Sequence, residues 1–160
     1  MDQQLDNFIH YLEAVRKSSR NTILSYKRDL EKFAAFLDAQ AVVDLTDVNE
    51  TTMNAYILMM EQKQFATSTI SRNIAALKSF FDYLERYENH QGNPAARLKA
   101  PKIEKKAPEV LTVAEVTRLL EQPAGRNNKE LRDKAMLELM YATGIRVSEL
   151  IALNIGDLNL

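Results

Sequence analysis

Apolar residues recur every three to four positions through most of this chain, and alternating strand patterns are almost absent. Leu5, Phe8, Ile9, Leu12 and Val15 fall on one face of a first predicted helix. Ser18–Asn21 interrupts it, and Ser19 or Asn21 can cap the next helix by accepting from a backbone N–H. In that second helix Ile23, Tyr26, Leu30, Phe33 and Leu37 step by 3, 4, 3 and 4, the cleanest amphipathic stripe in the protein. Asn49 or Thr51 can open a third helix, with Met53, Tyr56, Ile57 and Met60 inward. Thr67 or Ser68 can cap a fourth, which carries Ile70, Ile74, Leu77, Phe81 and Leu84 on its apolar side. Four helices with short connections predict a bundle over residues 1–90.

From His90 to Val110 the periodicity stops, and Gly92, Pro94, Pro101 and Pro108 fall in this stretch. Residues 91–110 therefore read as an interdomain linker. Thr112 and Glu115 then fit a capping box, in which each side chain satisfies a backbone N–H at a helix start. A fifth helix carries Val116, Leu119 and Leu120, and a sixth carries Leu131, Ala135, Leu139 and Ala142 before Gly144, a natural terminator. A short seventh helix points Val147, Leu150 and Ile151 inward, and the last residues read as a turn entering a strand. The fold class is mainly α, and residues 111–160 are fewer than an independent core usually needs, so this second part reads as cut short.

Composition narrows the chemistry. The 160 residues are 46% hydrophobic and 27% charged, an ordinary globular balance. There is no cysteine, which excludes a disulfide framework, a thiol nucleophile and cysteine-bound zinc. The two histidines, His10 and His90, lie eighty positions apart, so no metal site is expected. The longest apolar run, Ala55–Met60, is too short to span a bilayer, and the acidic N-terminus lacks the apolar core of a secretory signal. A cytoplasmic protein with no membrane partner is the expectation. The near balance of 21 Lys and Arg against 22 Asp and Glu conceals an asymmetry. Residues 61–106 hold nine basic side chains against five acidic ones, a surplus of +4, and the remainder carries −5. The surplus is densest between Arg97 and Lys106. A basic linker between helical units suits a strap along a polyanion. On charge alone the simpler reading is a solvated linker. The polar face of the fourth helix adds Ser68, Ser71, Arg72, Lys78 and Ser79, where small hydroxyls beside long cations suit close approach to phosphates.

The most specific motif is Tyr141-Ala-Thr-Gly-Ile-Arg-Val-Ser-Glu-Leu150. It sets Arg146 just after a helix-ending glycine and at the start of the next helix, where unpaired N–H groups and a guanidinium fork together favour phosphate. A surface arginine paired with Glu149 fits the same letters. Thr143–Leu150 resembles the first-arginine motif of the tyrosine recombinases, also called the phage-integrase family. Ser19-Arg-Asn-Thr22 with Tyr26, Leu30 and Phe33 is similar to that family's N-terminal core-binding domain, as is Ser68-Thr-Ile-Ser-Arg72 leading into Leu77–Leu84. Asn93-Pro94, Pro101-Lys102 and Pro108–Thr112 resemble its interdomain linker and catalytic-domain entry. The ordered series covers essentially the whole chain and is most similar to the bacterial Xer type.

The resemblance implies a SAM-like four-helix core-binding domain over 1–90, a basic linker over 91–110 and the N-terminal part of a catalytic domain over 111–160. It implies site-specific DNA recombination and integration through a 3′-phosphotyrosyl intermediate, without metal or other cofactor. It also implies a double-stranded DNA partner and assembly with further recombinase subunits, as dimers and tetramers on DNA. Arg146 matches the family's first catalytic arginine, and Glu149 the acidic position that supports it. Ser71, Arg72 and Lys78 lie where the family presents a helix to DNA, with Thr22 and Lys27 on the second helix and Lys99 and Lys102 along the linker. The family's catalytic lysine, H-x-x-R pair and nucleophilic tyrosine match nothing here, so these 160 residues are expected to be a truncated form that cannot make the covalent intermediate. Tyr26, Tyr56 and Tyr83 suit the core better than catalysis. Two other readings stand beside this one: a helical protein-interaction module using Tyr56–Met60 as a partner face, and a truncated inhibitor of intact recombinases.

Overall fold

A computed structural model describes residues 1–102 and 109–157. Among them are seven α-helices and no strand: α1 (Asp2–Ala14), α2 (Arg20–Ala39), α3 (Glu50–Gln62), α4 (Thr67–Tyr87), α5 (Val113–Leu120), α6 (Asn128–Thr143) and α7 (Val147–Leu150). Single 3₁₀ turns fall at Leu45–Asp47 and Ile155–Asp157. The chain divides into two compact units, Met1–Lys105 and Lys106–Leu160. No helix among the described residues is long and apolar enough to cross a membrane.

In the first unit, local chemistry sets most of the helix starts. Ser19 accepts from the Thr22 N–H to open α2. Asn49 accepts from the Thr51 and Thr52 N–H groups to open α3. Helix α4 departs from expectation, because its cap position is Ala66 and no side chain caps it. Its start is fixed instead by burial further along. Nine of its 21 residues are buried, including all of Ile70, Ile74, Leu77, Phe81 and Leu84. Asn73, Ala76, Phe80 and Tyr83 are buried as well. Helix α4 is thus the central element, packed by α1, α2 and α3. Aromatic rings knit the core: Phe8 meets Phe80 edge-on at 5.4 Å between ring centres, and Phe33 meets Tyr56 in the same manner at 5.1 Å. Each such buried side chain contributes on the order of 1.5–3 kcal/mol.

Two expectations change here. Val15 caps the end of α1 and is exposed, because the core-facing stripe stops at Leu12. Residues 93–101, expected as linker, pack on the bundle. Asn93 accepts from the Ala95 N–H and donates to the Lys78 carbonyl, and Ala95 and Leu98 enter the core. His90 also belongs to this fastening, with Nε2 3.1 Å from the Leu45 carbonyl and its ring edge-on to Phe81.

The second unit is thinly packed. The Thr112–Glu115 capping box forms, with Glu115 accepting from the Thr112 N–H at 2.8 Å. Gly144 ends α6 in the left-handed conformation, φ +66°, and its N–H reaches the Met140 carbonyl. Only Leu150 is buried among its described residues. Leu131, Ala135, Ala142, Val147 and Ile151, expected inward, are exposed. Three short helices cannot enclose side chains on all sides. Residues 155–157 form a 3₁₀ turn, and the expected strand falls beyond the described residues.

Candidate nucleic-acid interface

With so much of α4 buried, its exposed side between Ser68 and Asp82 is one narrow stripe, Ser68, Arg72, Ala75 and Asp82, flanked by the half-buried Ser71, Lys78 and Ser79; Glu85, Arg86 and Tyr87 are exposed beyond it. The N-terminal half of that stripe carries Arg72 and Lys78, and its C-terminal end is mixed, with Asp82, Glu85 and Arg86. The three candidates on α4 therefore share one face, as helical spacing requires, but each is held differently.

Arg72 is tied down. Its Nε donates to Asp29 Oδ2 at 2.7 Å and its Nη2 to Asp29 Oδ1 at 3.0 Å. The Asp29 side chain is 0% exposed and Arg72 keeps 44%. This hydrogen-bonded pair joins α2 to α4 and pushes the guanidinium further above its already high ordinary pKa. Lys32 stands 3.6 Å from the same carboxylate. Ser71 donates to the Pro101 carbonyl at 3.4 Å, which brings the exposed Lys102, next in the chain, beside the start of α4. Lys78 is half-buried, and its backbone carbonyl accepts from Asn93. On α2, Thr22 is exposed and shares a hydroxyl contact with Ser19 at 2.9 Å, while Lys27 is half-buried. Lys99 is exposed on the segment packed after α4.

One further cation escaped the sequence reading. Arg16 Nη1 donates to Ser79 Oγ at 2.9 Å, which sets a guanidinium at the α4 stripe next to Lys78 in sequence order. Its signal was the cluster Arg16, Lys17 and Arg20 at the break between the first two helices. The structure thus gathers Arg16, Ser71, Arg72, Lys78 and Lys102 around α4. Two acidic side chains are fixed at this stripe: the buried Asp29, which pairs with Arg72, and Asp82, which accepts from Asn93 Nδ2 at 2.6 Å.

Tyr56 belongs to the core. Its hydroxyl donates to Asn73 Oδ1 at 2.9 Å, and burial, reinforced by the charge of Asp29, pushes its phenol well above the ordinary value. Tyr83 is likewise buried and raised, first by burial and then by Glu88. The Tyr56–Met60 segment does reach the surface through Leu58, which is 53% exposed. An apolar groove of about 590 Å³ lies there between α2 and α3, lined by Phe36, Leu58, Met59 and Phe65.

In the second unit, Arg146 occupies the cap position of the single-turn α7. Glu149 folds back on it: one carboxylate oxygen accepts from the Arg146 N–H at 2.9 Å and the other from its Nη1 at 3.0 Å. The Arg146 side chain remains 80% exposed, so the guanidinium is oriented by Glu149 while staying accessible.

A profile described as phage integrase, N-terminal SAM-like domain, matches residues 5–88, and one described as phage integrase family matches residues 109–160. Tyrosine recombinase XerC of Herpetosiphon aurantiacus is 44% identical over all of this chain and 53% of its own length. Tyrosine recombinase XerD of Oceanobacillus iheyensis is 38% identical over all of this chain and 54% of its own. A solved structure of XerA recombinase is 24% identical, with a TM-score of 0.49 over 99% of this chain and 52% of that one. The chain spans about half the length of the relatives it matches. A profile match over all four helices of the first unit, followed by one from residue 109 through the second, means that this chain belongs to the phage integrase family, the tyrosine recombinases.

Proposed function

We propose that this chain supplies the DNA-clasping part of a site-specific tyrosine recombinase that acts in the cytoplasm on double-stranded DNA. Residues 1–90, with 93–101 packed on them, form its core-binding domain, the rest of 91–110 its basic linker and 111–160 the entry to its catalytic domain. One observation carries the reading: the cations and hydroxyls Arg16, Ser71, Arg72, Lys78 and Lys102 converge on one exposed stripe of α4. Hydroxyls permit close approach to a phosphate and the long cations neutralise it. Thr22 and Lys27 extend the contact on α2, and Lys99 and Lys102 continue it along the backbone. In the second unit, Arg146 meets the scissile phosphate and offsets the charge that builds on its oxygens during transfer, with Glu149 orienting it. Further recombinase subunits complete the assembly on paired sites.

The test is a salt titration. The 160-residue polypeptide is mixed with a labelled duplex and its affinity is followed by fluorescence anisotropy. With about four phosphates neutralised, log K falls against log salt with a slope near −3.6. Charge reversal belongs at Lys78 and Lys102, because Arg72→Glu would set a second carboxylate against buried Asp29 and unfold the unit. Lys78→Glu with Lys102→Glu abolishes binding under this reading. The apolar groove between α2 and α3 favours a second reading, a protein-interaction module. That reading survives if the double reversal leaves a protein complex intact and the wild-type chain ignores duplex DNA at low salt.

A further inference from the structure

The Arg72–Asp29 pair sets a buried carboxylate behind a cation of the α4 stripe, although a carboxylate by itself opposes phosphates. A guanidinium has two edges that can each grip a pair of acceptors: one formed by Nε and Nη2, the other by Nη1 and Nη2. Asp29 occupies the first edge completely, through two short bonds. No acceptor among the described residues meets Nη1. The second edge is therefore free, on a side chain that keeps 44% exposure, while the anchoring carboxylate has none. An exposed arginine ordinarily samples many rotamers, and fixing one on binding costs free energy. Here that ordering is complete before any ligand arrives.

We propose that Asp29 is a positioning residue for DNA binding: it locks Arg72 so that the free edge of the guanidinium is preset to receive two oxygens of a backbone phosphate. This rests on the reading of α4 as the DNA-facing helix. The position of Asp29 on α2 gives the device a geometric function too. The bond spans α2 and α4, so it fixes the angle at which one helix presents cations relative to the other. Ser71, the preceding residue, donates to the Pro101 carbonyl, which places Lys102 at the same end of the stripe. Two neighbouring residues of α4 thus make fixed contacts, one to α2 and one to the segment after Asn93. Lys32, the other cation at Asp29, stands 3.6 Å away and makes no hydrogen bond to it, so the fork of Arg72 is the principal partner.

Simple electrostatics and positioning predict opposite signs for one substitution. Asp29→Asn removes a negative charge, so a surface that attracts DNA by net charge alone would bind more tightly. Positioning predicts weaker binding, since a neutral amide accepts through one oxygen only and releases the fork. The experiment measures duplex affinity by anisotropy for the wild type, Asp29→Asn, Arg72→Ala and the double variant, each shown by thermal melting to be folded at the assay temperature. The expected result is a loss of roughly 10-fold or more for Asp29→Asn. Arg72→Ala loses at least as much, and the double variant binds no worse than Arg72→Ala alone, because Asp29 acts only through Arg72. Arg72→Lys supplies a check that keeps the charge and disturbs folding less. It retains an ion pair with Asp29 but has no second edge, and it loses affinity nearly as Arg72→Ala does. The proposal is overturned if Asp29→Asn binds as tightly as the wild type or tighter, if Arg72→Lys matches the wild type, or if the two losses add. A wild-type chain that ignores duplex DNA overturns the underlying reading of α4 as well, which separates the two failures.

Discussion

Tyr56→Phe isolates one buried hydrogen bond at almost constant volume. The Tyr56 hydroxyl donates to Asn73 Oδ1 at 2.9 Å, both residues are fully buried, and Asn73 Nδ2 is already committed to the Thr69 carbonyl. No buried side-chain polar atom among the described residues lacks a partner, so the substitution creates an orphan where none existed. The ring contacts to Phe33 at 5.1 Å and Phe36 at 5.2 Å survive in phenylalanine. What remains is the desolvation of one unpaired amide oxygen, about 1–3 kcal/mol. Urea unfolding of the intact chain followed by near-ultraviolet circular dichroism measures it. Tyr141 is the one phenylalanine or tyrosine outside residues 1–102, so the signal reports the first unit. The midpoint falls and the slope is unchanged. In the cycle with Asn73→Ala the double variant is less destabilised than the two losses added, by about 1 kcal/mol, because removing both partners leaves no orphan. A loss under about 0.5 kcal/mol, or strict additivity, refutes the reasoning. The burial of the same hydroxyl, reinforced by the charge of Asp29, predicts alkaline behaviour. Because the folded phenol is raised, its contribution is fully present below the ordinary value of 10.0 and is lost as pH climbs beyond it toward the folded value. Tyr56→Phe therefore flattens the loss of stability at high pH.

Glu115 gives the opposite sign. Its carboxylate is held below the ordinary 4.5 by the Thr112 backbone N–H and then by the Thr112 hydroxyl, so its support of α5 is present above 4.5 and lost as pH falls through the folded value. Amide exchange at the start of α5 accelerates on acidification, and Glu115→Gln largely removes that dependence. Gly144→Ala meets no atom within 4 Å but must hold φ +66°, so it costs about 1–2 kcal/mol through the backbone alone and lowers protection at the end of α6. Unchanged exchange there would contradict the strain argument. Leu98→Ala destabilises the first unit by about 2–5 kcal/mol in the same urea assay, an outcome a solvated linker could not give.

How much of this was legible in the residues depended on whether one face or two had to be read. The stripe Ile70, Ile74, Leu77, Phe81 and Leu84 predicts a helix with one apolar side, and all five are buried. Phe80, Ala76 and Asn73 were missed because a helix enclosed by three others buries a second side, which a single-stripe template does not include. Caps made by Ser19, Asn49 and Thr112 follow from short-range chemistry and were readable; the start of α4 at Ala66 was not, since tertiary burial sets it. Ala95 and Leu98 carry no helical period, so only the fold shows them in the core. At the candidate interface, Ser71, Arg72 and Lys78 could be placed on one helix face. Asp29 could not be connected to them, because its partner lies 43 positions away and nothing local distinguishes it from any other acid on α2.

The heavy enclosure of α4 leaves little freedom for diversification. Of its first thirteen residues, only Thr67, Ser68, Arg72 and Ala75 are exposed, and Arg72 is already engaged by Asp29. A mutational library aimed at retargeting this helix thus has a very small palette, with Ser68 and Ala75 as its least encumbered positions. Broader changes of preference must be recruited from the exposed positions of α2 and of the segment after Asn93, such as Thr22, Arg97 and Lys99, where altered side chains leave the packed scaffold untouched.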